Sequence, residues 1–72
     1  MSLIEHSVEA KLRREEAAKR LRALADELSR QNKVTFVRDG KKFTVDVPDE
    51  VQFSLEIEVG GDENEIEVEL KW

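Results

Sequence analysis

The fold of this chain is decided by its last third, which reads VQFSLEIEV over residues 51–59, GGDEN over 60–64 and EIEVELKW over 65–72. Apolar and polar residues alternate strictly in the first and last of these runs, and the run between them is rich in glycine. Strict alternation is typical of a strand with one buried and one exposed face. The pattern therefore predicts strands over 51–59 and 65–72 that pair as an antiparallel hairpin.

The register of this hairpin is predicted from its apolar residues. Keeping them together gives four apolar pairs: Phe53 with Trp72, Leu55 with Leu70, Ile57 with Val68, and Val59 with Ile66. On the other face the same register sets Glu56 opposite Glu69 and Glu58 opposite Glu67. Like charges directly opposite each other destabilise a sheet, by up to ~1 kcal/mol per pair.

These four glutamates are the candidate interaction surface, for cations or for a basic partner. The structural alternative is a solvated face that aids solubility and discourages aggregation at the strand edges. A Ca²⁺ site needs several oxygens that converge on one point, usually from a bent loop, and a flat ladder of carboxylates provides them poorly.

A second hairpin is predicted over residues 34–47, with strands 34–38 and 41–47. Its turn is Asp39-Gly40, a sequence that suits the positive φ angles of a type I′ turn. Pairing outward from the turn sets Phe36 opposite Phe43. The same register sets Arg38 opposite Lys41 and Val34 opposite Val45, so pattern and turn chemistry agree.

Residues 14–30 predict a helix, because their apolar residues form one stripe at helical spacing. The stripe consists of Ala17, Ala18, Leu21, Leu24, Ala25 and Leu28. Arg13 is the expected N-cap, although it has no side-chain oxygen to accept a hydrogen bond from the first turn. Asn32 is the expected left-handed residue that ends the helix.

Together these elements predict one α+β domain over residues 1–72. One helix packs on one face of a twisted antiparallel meander of four strands, and Pro48 ends the strand before the last hairpin. Residues 3–10 alternate loosely and indicate either a fifth strand or an extension of the helix. The predicted core is apolar throughout: Leu21, Leu24, Leu28, Val34, Phe36, Phe43, Val45, Phe53, Leu55, Ile57, Val68, Leu70 and Trp72.

Composition narrows the class of protein. The 72 residues carry a net charge of −5 and no cysteine, so thiolate chemistry is excluded. Residues 1–33 have eight Lys/Arg against six Asp/Glu, whereas residues 34–72 have four against eleven. No signal peptide is recognised, and no apolar run approaches the ~20 residues of a membrane span. We expect a cytoplasmic protein that has no membrane partner.

No residue pattern points to catalysis. Nothing near His6 in the sequence indicates the positioned acid or nucleophile that a general base needs, so a structural or surface histidine is favoured. No serine lies in a nucleophile motif. The 60–64 run lacks the spacing of a calcium loop, and basic residues of the helix alternate with acidic ones. We expect a chain that is not an enzyme and has no catalytic residue, no cofactor and no metal site.

Three features together resemble one family: the helix sequence EEAAKRLRALADEL over residues 15–28, the connection VPDEV over 47–51, and the tail EIEVELKW over 65–72. The chain resembles an amphi-Trp domain protein, a small bacterial and archaeal domain with amphipathic strands and a tryptophan near its end. The resemblance covers residues 12–72. Arg13 departs from it, since a hydroxyl residue is expected before the helix. The resemblance implies no activity and supplies no functional residues, because the family has no established function.

These observations favour a non-catalytic interaction or structural module. Its partner would be another protein, or a second copy of the chain in a homodimer formed through a strand edge. The alternatives are weak nucleic-acid binding through the basic face of the helix and cation binding on the acidic face of the sheet. Nucleic acid is the disfavoured partner, because the acidic half of the chain repels phosphate.

Overall fold

The computed structural model describes residues 5–72. One helix precedes four strands: α1 (Arg14–Arg30), β1 (Lys33–Arg38), β2 (Lys41–Asp46), β3 (Gln52–Val59) and β4 (Asn64–Lys71). The α+β class is confirmed, with the four strands antiparallel. Residues 5–10 lie in neither helix nor strand, so the fifth strand does not form there; residues 3 and 4 of that prediction lie outside the described residues.

Helix α1 begins and ends where its periodicity predicts. Arg13 is the N-cap and has extended backbone angles, but its side chain makes no capping hydrogen bond. The C-cap Gln31 is also extended, and its N–H donates to the carbonyl oxygen of Glu27 at 3.2 Å. The prediction that Asn32 adopts a left-handed conformation is wrong, because Asp39 is the one non-glycine residue in the described range with positive φ.

The β1–β2 hairpin has the predicted register, with Arg38 opposite Lys41 and Phe36 opposite Phe43. Its turn residues have the positive φ angles that a type I′ turn requires, 52° at Asp39 and 74° at Gly40. The Phe36 and Phe43 rings stack at 5.4 Å. The prediction succeeds because the two turn residues determine the register locally, without help from the rest of the chain.

Two contacts hold Glu5 and His6 on this hairpin. The ring of His6 stacks on Phe36 at 4.7 Å, and the Arg38 guanidinium donates to the carbonyl oxygen of Glu5 at 2.8 Å. Glu5 and His6 therefore lie against this hairpin, and the His6 ring makes a structural contact with Phe36.

Helix α1 contacts β1 through Glu27. The Glu27 carboxylate accepts a hydrogen bond of 2.7 Å from the backbone N–H of Thr35. Thr35 opposes Thr44 in the ladder, and the Glu27 bond lies on the side of β1 away from β2. The carboxylate thus satisfies a backbone donor that an edge strand would leave free.

The four strands do not form one continuous meander. They form two separate two-stranded sheets, β1–β2 and β3–β4. The connection between the sheets contains Pro48, which has no N–H for a ladder. Just before it, the N–H of Val47 donates to the carbonyl oxygen of Asn32 at 2.7 Å, which extends the β1–β2 hairpin by one more pair.

The predicted register of the last hairpin is wrong by two residues. Ile57 pairs with Ile66, Leu55 with Val68 and Phe53 with Leu70, whereas Val59 lies opposite Asn64. The turn is tighter than expected, since the Gly60 N–H donates to the carbonyl oxygen of Glu63 at 3.0 Å. Gly60 is required there because a Cβ atom would lie 2.9 Å from that oxygen. A two-residue slip leaves every side chain on its original face, so the apolar pattern could not distinguish the two registers.

The predicted shared core is not formed within one chain. Among the helices and strands that the structure describes, α1 contacts β1, and β3 and β4 contact only each other. Of residues 5–72, Val47 alone is buried, with 8% of its surface exposed. The predicted core residues of α1 and of the last hairpin therefore lie apart, on surfaces described below.

Candidate interaction surface

The β3–β4 hairpin presents a continuous apolar surface that no other helix or strand within residues 5–72 covers. Strand alternation and the observed register place seven side chains on it: Phe53, Leu55, Ile57, Val59, Ile66, Val68 and Leu70. We call this set the hairpin apolar face. Its exposure reaches 84% at Val59, 70% at Ile66 and 62% at Phe53. Trp72 follows β4 directly and is 58% exposed.

The opposite surface of the hairpin is acidic. The four predicted site residues Glu56, Glu58, Glu67 and Glu69 share this surface, and Glu65 joins them. Their pairing differs from the prediction: Glu56 opposes Glu67, Glu58 opposes Glu65 and Glu69 opposes Ser54. Two directly opposed carboxylate pairs remain. The charge of Glu69 is offset by the Lys71 ammonium, which lies 3.7 Å from its carboxylate.

The Glu65 side chain perturbs the neighbouring Glu67 carboxyl on the acidic surface. The pKa of the Glu67 carboxyl is raised above the ordinary value, first because it shares a hydrogen bond with the Glu65 side chain and next because the Glu65 charge repels its anion. Desolvation adds a smaller contribution in the same direction. A carboxylate cluster of this kind opposes its own full ionisation, and the ladder is under least strain when Glu67 is protonated.

A second apolar surface lies on α1. A groove of about 610 Å³ runs between the segment before the helix and the helix itself. We call it the helix groove; its lining residues are Val8, Ala10, Leu12, Ala17, Arg20, Leu21 and Leu24. Leu21 is 58% exposed. Part of the stripe that was predicted to lie on the sheet therefore faces solvent.

The basic residues around the groove are partly paired with acids of the same helix. Arg13 and Arg14 lie 3.8 and 3.6 Å from Glu15, and Arg20 lies 3.9 Å from Glu16. All of these side chains are well exposed, and pairs of this kind contribute little to stability. They remain accessible to a partner.

A metal site would require several ligand side chains that converge on one point. Within residues 5–72 no three side chains of the His, Cys, Asp or Glu type come together in a manner that could hold an ion. The glutamates of the hairpin are spread along a ladder, at strand spacing, rather than gathered around a point. Their arrangement suits a diffuse negative surface.

Sequence reasoning placed the candidate site on the acidic surface and treated the apolar residues as core. It missed the exposure of the hairpin apolar face. Alternation alone reports which residues share a face, not whether that face is covered. The one available signal was Pro48 in the 47–51 connection, because a missing donor at that corner weakens the case for a β2–β3 ladder.

The fold and this surface define the class of protein: a small α+β domain whose described residues form one helix, two hairpins and an amphipathic last strand. The chain belongs to the Amphi-Trp domain family, whose model matches residues 2–72. No curated protein and no solved structure matches the chain. The helix of the described part of the chain is not of the length and apolar character needed to traverse a bilayer.

Proposed function

We propose that this chain is a non-catalytic protein-interaction module that binds its partner through the hairpin apolar face. The observation that carries the proposal is an uncovered row of large apolar side chains on a two-stranded sheet. Exposed apolar patches of several hundred Å² are characteristic of interaction sites in folded proteins. The proposal includes a cytoplasmic location, which fractionation of the producing cells would test.

The energetics of the hairpin support this proposal. A two-stranded hairpin alone is marginally stable in water and needs a further layer against its apolar side. Phe53, Ile57 and Ile66 each expose well over half of their surface. Covering one such side chain contributes up to about 1.5–3 kcal/mol. A partner that covers this face would therefore stabilise the hairpin and gain affinity from the same contacts.

The test uses two neighbouring residues that point to opposite sides of β3. A photo-reactive amino acid is incorporated at Ile57, on the apolar face, or at Glu58, on the acidic face, and the producing cells are irradiated. We expect protein adducts from position 57 and few from position 58. Absence of adducts at position 57, or equal adducts at both positions, would refute the proposed use of the apolar face.

A further inference from the structure

We infer that the partner is a second copy of this chain, in a two-fold dimer in which each hairpin apolar face covers the helix groove of the other copy. This inference rests on the proposed function and names its partner. It starts from the coexistence of two uncovered apolar surfaces on one chain, the hairpin apolar face and the helix groove. In an α+β fold an amphipathic helix buries its stripe on the apolar face of a sheet. Each surface is therefore of the kind that the other requires.

The charges of the two surfaces are complementary. Residues 11–22, which include most of the groove, have six Lys/Arg against two Asp/Glu, a net of +4. Residues 52–71, which include the hairpin, have seven Asp/Glu against one Lys, a net of −6. Opposite charge steers two surfaces together, whereas like charge opposes contact. Pairing hairpin with groove is thus favoured over pairing two hairpins.

The buried area also favours the reciprocal arrangement. Aromatic side chains bury ~150–250 Å² each, and aliphatic ones bury roughly 60–120 Å² at ~25 cal/mol per Å². When these areas are scaled by the observed exposures, the hairpin apolar face and Trp72 together have on the order of 500 Å² of exposed apolar surface that a partner could bury. Two hairpins face to face would bury only about 1,000 Å² in total, below the ~1,200–2,000 Å² of stable interfaces.

In the reciprocal dimer this contact occurs twice. On the same scaling, the exposed surface of Val8, Leu12, Leu21 and Leu24 in the groove comes to on the order of 200 Å². Two such contacts bury about 1,400 Å² in total, within the ~1,200–2,000 Å² of stable interfaces. Two-fold symmetry gives a closed assembly, in which no hairpin or groove remains to recruit a third copy. The contacts are those predicted within one chain, between Leu21 or Leu24 and the last hairpin, made instead between copies.

The absence of cysteine from the chain permits a direct test. The test uses two single variants, Leu21→Cys in the groove and Ile57→Cys on the hairpin apolar face, each carrying a different tag. The two variants are mixed and treated with a short bis-maleimide. We expect a cross-linked pair that contains one chain of each kind. The matched control is Glu58→Cys, which points away from the groove and should link to Leu21→Cys at least tenfold less.

Light scattering gives the second readout. We expect a species of twice the 8.3 kDa chain mass, with a dissociation constant that Ile57→Lys raises by roughly tenfold or more, because a lysine is buried without a partner. Glu58→Lys should leave the dimer intact. Circular dichroism of the helix shows that each variant is folded.

Four outcomes would overturn the inference. In light scattering they are a monomer at every concentration and open-ended association. In cross-linking they are linkage between two Ile57→Cys chains as efficient as that of the mixed pair, and linkage of Leu21→Cys to Ile57→Cys within one doubly substituted chain. If the purified chain is monomeric but a photo-reactive residue at position 57 captures a different protein, self-association fails and the proposed function stands. If position 57 captures nothing, both fail.

Discussion

The register of the β3–β4 hairpin can be tested by reversing one charge on the acidic surface. Glu56 lies opposite Glu67, so Glu56→Lys converts a directly opposed like-charge pair into an opposite-charge pair. Each kind of pair changes sheet stability by about 0.2–1 kcal/mol, in opposite directions. Because these side chains are exposed and screened by solvent, we expect the hairpin to gain about 0.5–1 kcal/mol.

A double-mutant cycle identifies which residue of β4 interacts with position 56. Glu56→Lys is combined with Glu67→Gln in one series and with Glu69→Gln in another. We expect a coupling energy of about 0.5–1 kcal/mol with position 67. Coupling with position 69 should be much smaller, because that residue lies diagonally across the ladder and its carboxylate already pairs with Lys71 at 3.7 Å.

The assay must report on the hairpin itself, since β3 and β4 contact no other helix or strand in the described part of the chain. Urea titration followed by fluorescence of Trp72, the one tryptophan of the chain, reports on the end of β4. Hydrogen exchange of the hairpin amides gives a local opening free energy for comparison. The measurements are made under dilute conditions so that association does not contribute. Stronger coupling with Glu69 than with Glu67 would refute the observed register and support the register in which Glu56 lies opposite Glu69.

Three further predictions concern separate parts of the molecule. Arg13→Ser supplies the missing N-cap oxygen and should stabilise α1 by about 0.5–2 kcal/mol in thermal unfolding; an unchanged melting temperature would contradict the cap geometry. Glu27→Ala removes the acceptor of the Thr35 N–H and should cost about 1–2 kcal/mol, whereas Glu27→Gln, which keeps an acceptor oxygen, should cost less; equal losses would contradict this role. The raised pKa of Glu67 means that the hairpin is most stable below the ordinary glutamate pKa of 4.5 and loses that stabilisation as the pH rises through the raised value. Glu65→Gln should lower the Glu67 pKa in an NMR titration and flatten this dependence, and an unmoved pKa would exclude the Glu65 contact as its cause.

Much of the local structure follows from sequence alone. The stripe of α1, the alternation of β3 and β4 and the Asp39-Gly40 turn each act over a few residues, so propensity and spacing suffice to predict them. The β1–β2 register follows for the same reason: a two-residue type I′ turn allows one pairing of its flanking strands. The faces of the last hairpin were also predictable, because alternation assigns Glu56 and Ile57 to opposite sides in either register.

Tertiary structure decided the rest. The register of β3–β4 depends on how closely Gly60 approaches Glu63, and the pattern is unchanged by a slip of two residues. The separation of the two hairpins depends on the connection at Pro48, which has no N–H to donate, and β2 does not pair with β3. Sequence therefore determined which side chains belong together on a face. Only the assembled chain decided that the face around Ile57 remains uncovered, because coverage depends on contacts between distant segments that alternation does not encode.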